Sequence, residues 1–231
     1  MPKYLLIYQK NESVRWLGHL DILRAFERAV RRAALPIAFS NGFNPRERIA
    51  FASALSVGVT GGAERAMLEL TESLSPEELA PRLNDALPPG IRIGSCEVIS
   101  DAEAKDMLSG YDRGVYEIVC GLPPDGSLAQ AKAAAAELLN LPAIILTRER
   151  QSKSKTVDIR PSLYALSVLP VAENETRCLV TATVGQGEGG TARPNEVIEA
   201  LSERLPGLTL RRTHRARLIH RGETIFGRAE D

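Results

Sequence analysis

The chain has 231 residues, of which 44% are hydrophobic and 25% charged, a composition that is typical of globular proteins and excludes a disordered one. Lys+Arg and Asp+Glu both number 29, so the net charge attracts neither nucleic acid nor membranes, and any such attraction requires local clustering. The cysteines Cys96, Cys120 and Cys178 are isolated, which favours a reducing compartment and predicts that this chain alone holds no metal and no cofactor.

At the start of the chain, residues 4–8 are apolar and β-prone and predict a strand rather than a signal peptide, because polar residues follow at once. No later stretch approaches the roughly 18 apolar residues of a membrane span, so we predict a cytoplasmic protein without a membrane partner. Residues 18–34 predict a helix that Pro36 ends. Its apolar stripe consists of Leu20, Leu23, Phe26, Val30 and Ala33 or Ala34.

The remaining elements of the first half are interpreted as a β-α-β-β-α-β order with one extra strand-like piece. They are strands at residues 36–39, 49–52, 65–71 and 91–99 and a helix at residues 75–87. Residues 100–112 are polar and are interpreted as a connection. The second half repeats the order, with strands at residues 114–120, 143–148, 162–169, 177–184 and 208–220 and helices at 127–139 and 194–205. We therefore predict an α+β protein of two tandem ferredoxin-like (split βαβ) domains with antiparallel sheets, at residues 1–100 and 113–231.

One side of the first predicted helix is basic. At 100° per residue its charged positions fall in one arc opposite the apolar stripe, and segment 15–48 holds seven Arg but three acidic residues. Each of these arginines could contact a phosphate, although a solvated face with ion pairs such as Glu27–Arg31 would give the same pattern. The candidate RNA- or anion-binding residues here are Arg15, Arg24, Arg28, Arg31 and Arg32.

The segment that follows, residues 40–48, has the sequence SNGFNPRER. Its Asn-Gly and Asn-Pro pairs are typical of turns, which leave backbone N–H groups available to an anion. An exposed aromatic side chain in this loop could stack on a base, whereas a hairpin that buries the ring in the core is the alternative. The candidate binding residues of the loop are Asn41, Phe43, Asn44, Arg46 and Arg48.

His19 stands at the beginning of the same helix, where the positive end of the helix dipole favours a neutral imidazole. A neutral imidazole beside bound RNA could act as a general base on a ribose 2′-OH, so His19 is the one candidate catalytic residue. A structural histidine at a helix start is the alternative, and Asp21 is too close in sequence to face it on the helix.

A second basic segment, residues 153–161, has the sequence KSKTVDIRP and precedes a predicted strand. Lys155 and Arg160 are candidate anion-binding residues within it, and a solvated loop is the alternative.

Residues 15–52, RWLGHLDILRAFERAVRRAALPIAFSNGFNPRERIAFA, resemble the opening of a radical-SAM-linked protein family of unknown function. In that family the pattern reads approximately S-H-L-D, R-A-x-R-R-A and S-x-G-F-N-P-x-P. This chain has Gly18 where Ser is usual and Glu47 where Pro is usual. The later family pattern K-x-x-D-x-R-P is matched by Lys155, Asp158, Arg160 and Pro161.

The resemblance implies a radical SAM protein as partner, because family members are fused to such an enzyme or encoded beside it. The chain lacks the C-x-x-x-C-x-x-C ligands of the radical SAM cluster, so it would be the partner and not the radical enzyme. A looser similarity is to RNA-processing proteins of the CRISPR type, which also combine ferredoxin-like domains with a histidine near the first helix.

Three hypotheses follow for function. The first is a non-catalytic accessory protein of a radical SAM enzyme. It would bind RNA, for example tRNA or rRNA, or present a substrate that the enzyme modifies. The second is a metal-independent endoribonuclease that uses His19. The third is a protein–protein adaptor whose basic face docks on an acidic surface of its partner.

Overall fold

The computed structural model describes residues 1–150, 153–172, 174–187 and 190–223. The chain divides into two compact units, Met1–Tyr111 and Asp112–Asp231. None of the described helices is both long enough and apolar enough to cross a membrane.

Unit 1 has the ferredoxin-like arrangement. Its elements are β1 (Lys3–Lys10), α1 (His19–Arg32), β2 (Ile49–Phe51), β3 (Val59–Glu69), α2 (Pro76–Ala86), β4 (Ile91–Ile99) and α3 (Asp101–Ser109). The strand order is β4-β1-β3-β2, and all three pairs are antiparallel. The predicted strand at residues 36–39 forms only isolated bridges, Ile37 with Leu70 and Phe39 with Glu47.

The main core of unit 1 lies between the sheet and helices α1 and α2. Alternate residues of β1, namely Tyr4, Leu6 and Tyr8, are buried, as the two-residue period of a strand requires. On α1 the buried positions are Ile22, Ala25, Phe26, Ala29 and Val30. The predicted stripe was therefore wrong at Leu20, which is 61% exposed, because the buried face passes through residue 22 instead.

The polar segment 100–112, interpreted above as a connection, contains helix α3. Its start is capped reciprocally: Glu103 N–H donates to Ser100 Oγ at 3.3 Å and Ser100 N–H donates to Glu103 Oε2 at 2.7 Å. Ala104 and Met107 of α3 are buried and pack with Met67 of β3. The helix therefore belongs to unit 1.

Unit 2 repeats the arrangement with one insertion. Its elements are β5 (Tyr111–Gly121), α4 (Leu128–Asn140), β6 (Ile145–Arg150), β7 (Lys153–Asp158), β8 (Leu163–Val171), β9 (Asn174–Gly185), α5 (Pro194–Ser202) and β10 (Thr209–His220). The strand order β10-β5-β9-β8 corresponds to β4-β1-β3-β2 of unit 1. Strands β6 and β7 form a separate antiparallel hairpin between α4 and β8. The predicted fold class, tandem ferredoxin-like units with antiparallel sheets, is confirmed.

Candidate nucleic-acid interface

The loop after α1 is a closed hairpin. Ser40 N–H donates to the Arg46 carbonyl at 2.8 Å, and Arg46 N–H donates back to Ser40 Oγ at 3.0 Å. One step outward, Arg48 N–H donates to the Ala38 carbonyl at 2.8 Å. These contacts fix the two arms, so residues 41–45 form a tip that projects from them.

The tip presents one large apolar side chain and several backbone donors to solvent. Phe43 is fully exposed, so the alternative in which its ring lies in the core is wrong. Asn41 and Asn44 are exposed as well, and Gly42 has φ +131°, a conformation that favours glycine. Within the described residues, the tip makes no hydrogen bond to the rest of the protein. The tip is therefore held in place by its arms alone, and its own groups are free for a ligand.

Two ion pairs fasten the loop to the rest of unit 1. Arg31 of α1 donates from Nε to Glu47 Oε1 at 2.7 Å, and the Glu47 side chain is only 6% exposed. Arg48 Nη1 lies 3.0 Å from Glu69 Oε2 of β3. The acidic residue at position 47 thus ties the hairpin to the helix. Arg31 and Arg48, both predicted to bind an anion, act first as anchors of the loop.

The remaining arginines of α1 divide into two groups. Arg24 is exposed and lies 3.7 Å from Asp21, and Arg28 is exposed and donates from Nε to the Arg24 carbonyl at 3.2 Å. Such contacts on a solvated helix face are weak, so both guanidinium groups could turn to a phosphate. Arg32 instead donates from Nη2 to the Ala86 carbonyl at the end of α2, which assigns it to helix packing.

A cleft of 440 Å³ separates α1 from the base of the loop. Its apolar lining comes from Leu20, Leu23 and Ile49, and its charged lining from Arg24, Glu27, Arg46 and Glu47. Arg31 contacts Glu47, 16 residues along the chain, and not Glu27, the partner that the alternative of a solvated helix face named for it. Glu27 is left without an ion pair or hydrogen bond among the described residues.

Arg15 lies before α1 and stacks on a neighbouring ring. Its guanidinium carbon is 4.6 Å from the centre of the Trp16 ring, and its Nη1 pairs with Glu12. The buried ammonium of Lys10 donates to the carbonyls of Arg15 and Leu17, at 2.9 and 2.8 Å, and fixes this segment. Trp16 is largely exposed, and sequence reasoning did not single it out.

His19 occupies the first turn of α1 and is exposed. Its ring and the ring of Phe51 form a T-shaped pair, with centroids 5.3 Å apart and planes at 83°. The neighbouring carboxylate of Asp21 accepts a hydrogen bond from Gly18 N–H at 3.0 Å and thereby caps the helix. Among the described residues His19 makes no hydrogen bond, so the geometry gives it a packing contact and no acid–base partner.

The two candidates of the second basic segment belong to unit 2 and differ in role. Lys155 is exposed on β7, opposite Arg148 of β6. Arg160 donates to three backbone carbonyls, those of Leu139, Leu141 and Leu163, at 2.7 to 3.2 Å. Its guanidinium is thus occupied by the end of α4 and the start of β8, and the interpretation of Arg160 as an anion-binding residue gives way to a structural one.

Asp158 completes this structural motif. Its Oδ1 accepts hydrogen bonds from Ile144 N–H and Arg160 N–H, both at 2.9 Å. Asp158 and Arg160 of the K-x-x-D-x-R-P pattern therefore connect the β6–β7 hairpin to the rest of unit 2. The spacing of the pattern alone could not reveal this, because two of the three carbonyl partners of Arg160 lie some 20 residues away in sequence.

The three cysteines are free thiols. Burial raises the pKa of Cys96 to about 11 and the pKa of Cys120 to about 12, so both stay protonated at neutral pH. Among the described residues, no three His, Cys, Asp or Glu side chains are grouped as a metal site.

Solved structures share the fold of this chain. A chain of the Cbf5–Nop10–Gar1 complex matches with a TM-score of 0.57 and 12% identity, over 93% of this chain and 48% of that one. A chain of an H/ACA RNP bound to a substrate RNA containing 2′-deoxyuridine matches with a TM-score of 0.54 and 13% identity, over 93% and 47%. The protein spans about half the length of these chains, and at this identity the likeness concerns the fold alone.

No curated protein sequence matches the chain. Residues 3–194 match the family described as "Uncharacterized protein conserved in bacteria (DUF2344)". The match covers well over half of the sequence, and the protein is therefore a member of this bacterial family.

Proposed function

We propose that unit 1 binds single-stranded RNA on the loop–helix surface, defined as the outer face of α1 with Arg24 and Arg28, the loop tip with Phe43, and Arg46 beside it. The observation that carries the proposal is the full exposure of Phe43 on a hairpin whose arms are fixed. An exposed phenyl ring on a loop with fixed arms does not contribute to the stability of the fold. It offers instead a face on which a base can stack.

The arginines of segment 15–48 support the same ligand. Of the seven arginines in segment 15–48, four have partners that hold the fold or a neighbouring side chain in place. Those four are Arg15, Arg31, Arg32 and Arg48. Arg24, Arg28 and Arg46 remain available, because their contacts are weak or confined to the backbone. Exposed aromatic side chains combined with cations that are free to contact phosphates are typical of surfaces that bind single-stranded nucleic acid.

The comparisons agree with this proposal at the level of fold. One of the two solved structures named above is an H/ACA RNP bound to a substrate RNA. A ferredoxin-like sheet is used by many unrelated proteins, however, so the proposal is based on the site and not on the fold.

Binding should depend on salt and on Arg24 and Arg28. We expect a fluorescent single-stranded RNA to bind unit 1 of the full chain at about 50 mM salt and much more weakly at about 200 mM, because phosphate contacts release counterions. Replacing Arg24 and Arg28 by Ala should lower the affinity about tenfold at low salt and reduce the slope of log affinity against log salt by about 1.4. Fluorescence anisotropy measures both quantities.

Arg92→Ala is a single-charge control for that experiment, in which the test variant loses two charges. Arg92 is exposed on β4 between the buried residues Ile91 and Ile93, so it lies on the sheet face away from α1. The control removes one positive charge from unit 1 and should leave affinity and slope within twofold of the parent. No RNA binding at low salt, or an equal loss in Arg92→Ala, would contradict the proposed surface.

We further propose that the bound RNA is presented to a radical SAM enzyme, in keeping with the resemblance of residues 15–52 and of Lys155, Asp158, Arg160 and Pro161 to the radical-SAM-linked family. Affinity purification from the native organism, with nuclease treatment, should recover a protein that carries a C-x-x-x-C-x-x-C motif. Mass spectrometry identifies it. Recovery of RNA without any such protein would remove the partner from the proposal and leave RNA binding intact.

A further inference from the structure

We infer that the cleft between α1 and the loop binds a guanine base of the RNA, whose Watson–Crick edge donates hydrogen bonds to the carboxylate of Glu27. The inference rests on the proposed RNA binding and adds base specificity to it. Three observations carry it: the size of the cleft, the pattern of its lining, and the lack of a partner for Glu27 among the described residues.

The size and lining suit a base. The cleft has a volume of 440 Å³, within the roughly 300–1,000 Å³ of small-ligand sites. Leu20, Leu23 and Ile49 supply apolar surface to the faces of a planar ring, and Leu20 is exposed although it is a large apolar residue. Arg24 and Arg46 stand at the charged side, where they could hold the phosphates on either side of the base.

Glu27 decides which base fits. Its carboxylate only accepts hydrogen bonds, and it is half-buried in the cleft with no donor to it in the part of the chain that the structure describes. Guanine places two adjacent donors, N1–H and the N2 amino group, on its Watson–Crick edge. Adenine, cytosine and uracil place at least one acceptor next to each donor on that edge, which would repel one carboxylate oxygen. A bidentate contact is therefore open to guanine alone among the four bases.

A second cavity on the other flank of α1 does not offer these features. It has a volume of 290 Å³ and is lined by Leu17, Asp21, Ala25, Arg28, Arg32 and Pro88. Asp21 already caps the helix, and Arg32 already donates to Ala86. Of the carboxylates that line these two cavities, Glu27 in the larger cleft is the one that has no donor within the described ranges.

The inference is tested with short oligouridines that carry one central guanosine, inosine, adenosine or cytidine. By anisotropy we expect the guanosine oligonucleotide to bind about tenfold tighter than oligouridine. The adenosine and cytidine oligonucleotides should bind as oligouridine does. The inosine oligonucleotide, whose base lacks the N2 amino group, should have an intermediate affinity. Glu27→Gln, whose amide cannot accept both hydrogen bonds, should abolish the guanosine preference, measured as the ratio of the affinities of that variant for the guanosine oligonucleotide and for oligouridine. The exposed Glu72 supplies the control Glu72→Gln, which should keep the preference.

The binding data distinguish a failure of the guanine site from a failure of RNA binding as such. Equal binding of all oligonucleotides, or a guanosine preference that persists in Glu27→Gln, would overturn the guanine site and leave RNA binding standing. If no oligonucleotide binds the parent protein, RNA binding itself falls and the guanine site with it. A guanosine preference lost in Glu27→Gln and kept in Glu72→Gln supports both.

Discussion

Replacing Phe43 and Arg46 together by Ala is expected to weaken the binding of single-stranded RNA about a hundredfold. Stacking of a base on an aromatic ring contributes about 1–3 kcal/mol, and the loss of one phosphate contact adds to it, so the sum reaches the roughly 2.7 kcal/mol of a hundredfold change. The thermal unfolding midpoint should not move. Phe43 is fully exposed, and within the described residues the Arg46 side chain has no partner to lose. Anisotropy and thermal unfolding measure the two effects on the same sample.

Two further substitutions at position 43 separate stacking from general apolar contact. Phe43→Trp keeps an aromatic face and should retain the parent affinity, whereas Phe43→Leu keeps an apolar side chain and should lose as much as Phe43→Ala. The hypothesis that unit 1 is instead an adaptor for a protein surface leads to the opposite expectation, because a leucine fills an apolar pocket well. Full affinity for RNA in Phe43→Leu would therefore count against the stacking platform.

Replacing Glu196 by Ala is expected to destabilise unit 2 by about 2–3 kcal/mol. Arg148 of β6 makes two hydrogen bonds to this carboxylate, Nε to Oε1 at 2.7 Å and Nη2 to Oε2 at 2.8 Å. Arg193 N–H donates to Oε2 at 2.9 Å. Loss of the acid leaves the Arg148 charge, only 23% exposed, without its carboxylate. The expected value lies below the 3–5 kcal/mol of fully buried pairs, since Arg148 keeps some contact with water.

The same carboxylate makes stability depend on pH. Burial by itself raises the pKa of Glu196, but the hydrogen bonds from Arg148 and from Arg193 N–H outweigh it and hold the pKa below its ordinary value of 4.5. The unfolded chain therefore takes up the proton first as pH falls. The contribution of the pair to stability is complete above pH 4.5 and is lost as the pH drops through the lower pKa of the folded state.

Chemical denaturation at pH 7 and at successively lower pH tests this account of Glu196. Glu199 on the same helix is exposed, so Glu199→Ala is the matched control and should change stability by less than about 0.5 kcal/mol. Glu196→Gln keeps the shape without the charge and should show a weaker fall in stability below pH 4.5 than the parent. A Glu196→Ala variant as stable as Glu199→Ala would show that the ion pair contributes nothing.

The order of elements could be predicted from sequence because it depends on local patterns. The helix predicted at residues 18–34 is α1, His19–Arg32, and residues 91–99 form β4 as expected. Helix α3 was missed because its segment is short and largely polar, although the Ser100–Glu103 capping pair was a usable signal. Leu20 was placed in the core because its spacing fits the apolar stripe, whereas the actual buried face begins at Ile22.

The roles of single charged residues could not be predicted, because they depend on partners distant in sequence. Glu27 and Arg31 have ideal helical spacing, yet Arg31 contacts Glu47 across the base of the loop. Arg160 resembles a surface cation in sequence, yet it donates to backbone carbonyls near residue 140. The exposed Phe43 was an open alternative from sequence, and only the closed hairpin around Ser40 and Arg46 decides it.

Photocrosslinking tests the central claim, that unit 1 binds RNA on the loop–helix surface, most directly. Single-stranded RNA containing 4-thiouridine is irradiated with the full chain, and the crosslinked tryptic peptides are identified by mass spectrometry. Trypsin cleaves after Arg32 and Arg46, so the loop tip is released in peptide 33–46. We predict that this peptide carries the main crosslink, at Phe43 or its neighbours, and that the crosslink disappears at high salt. Crosslinks confined to peptides outside α1 and the loop would contradict the account.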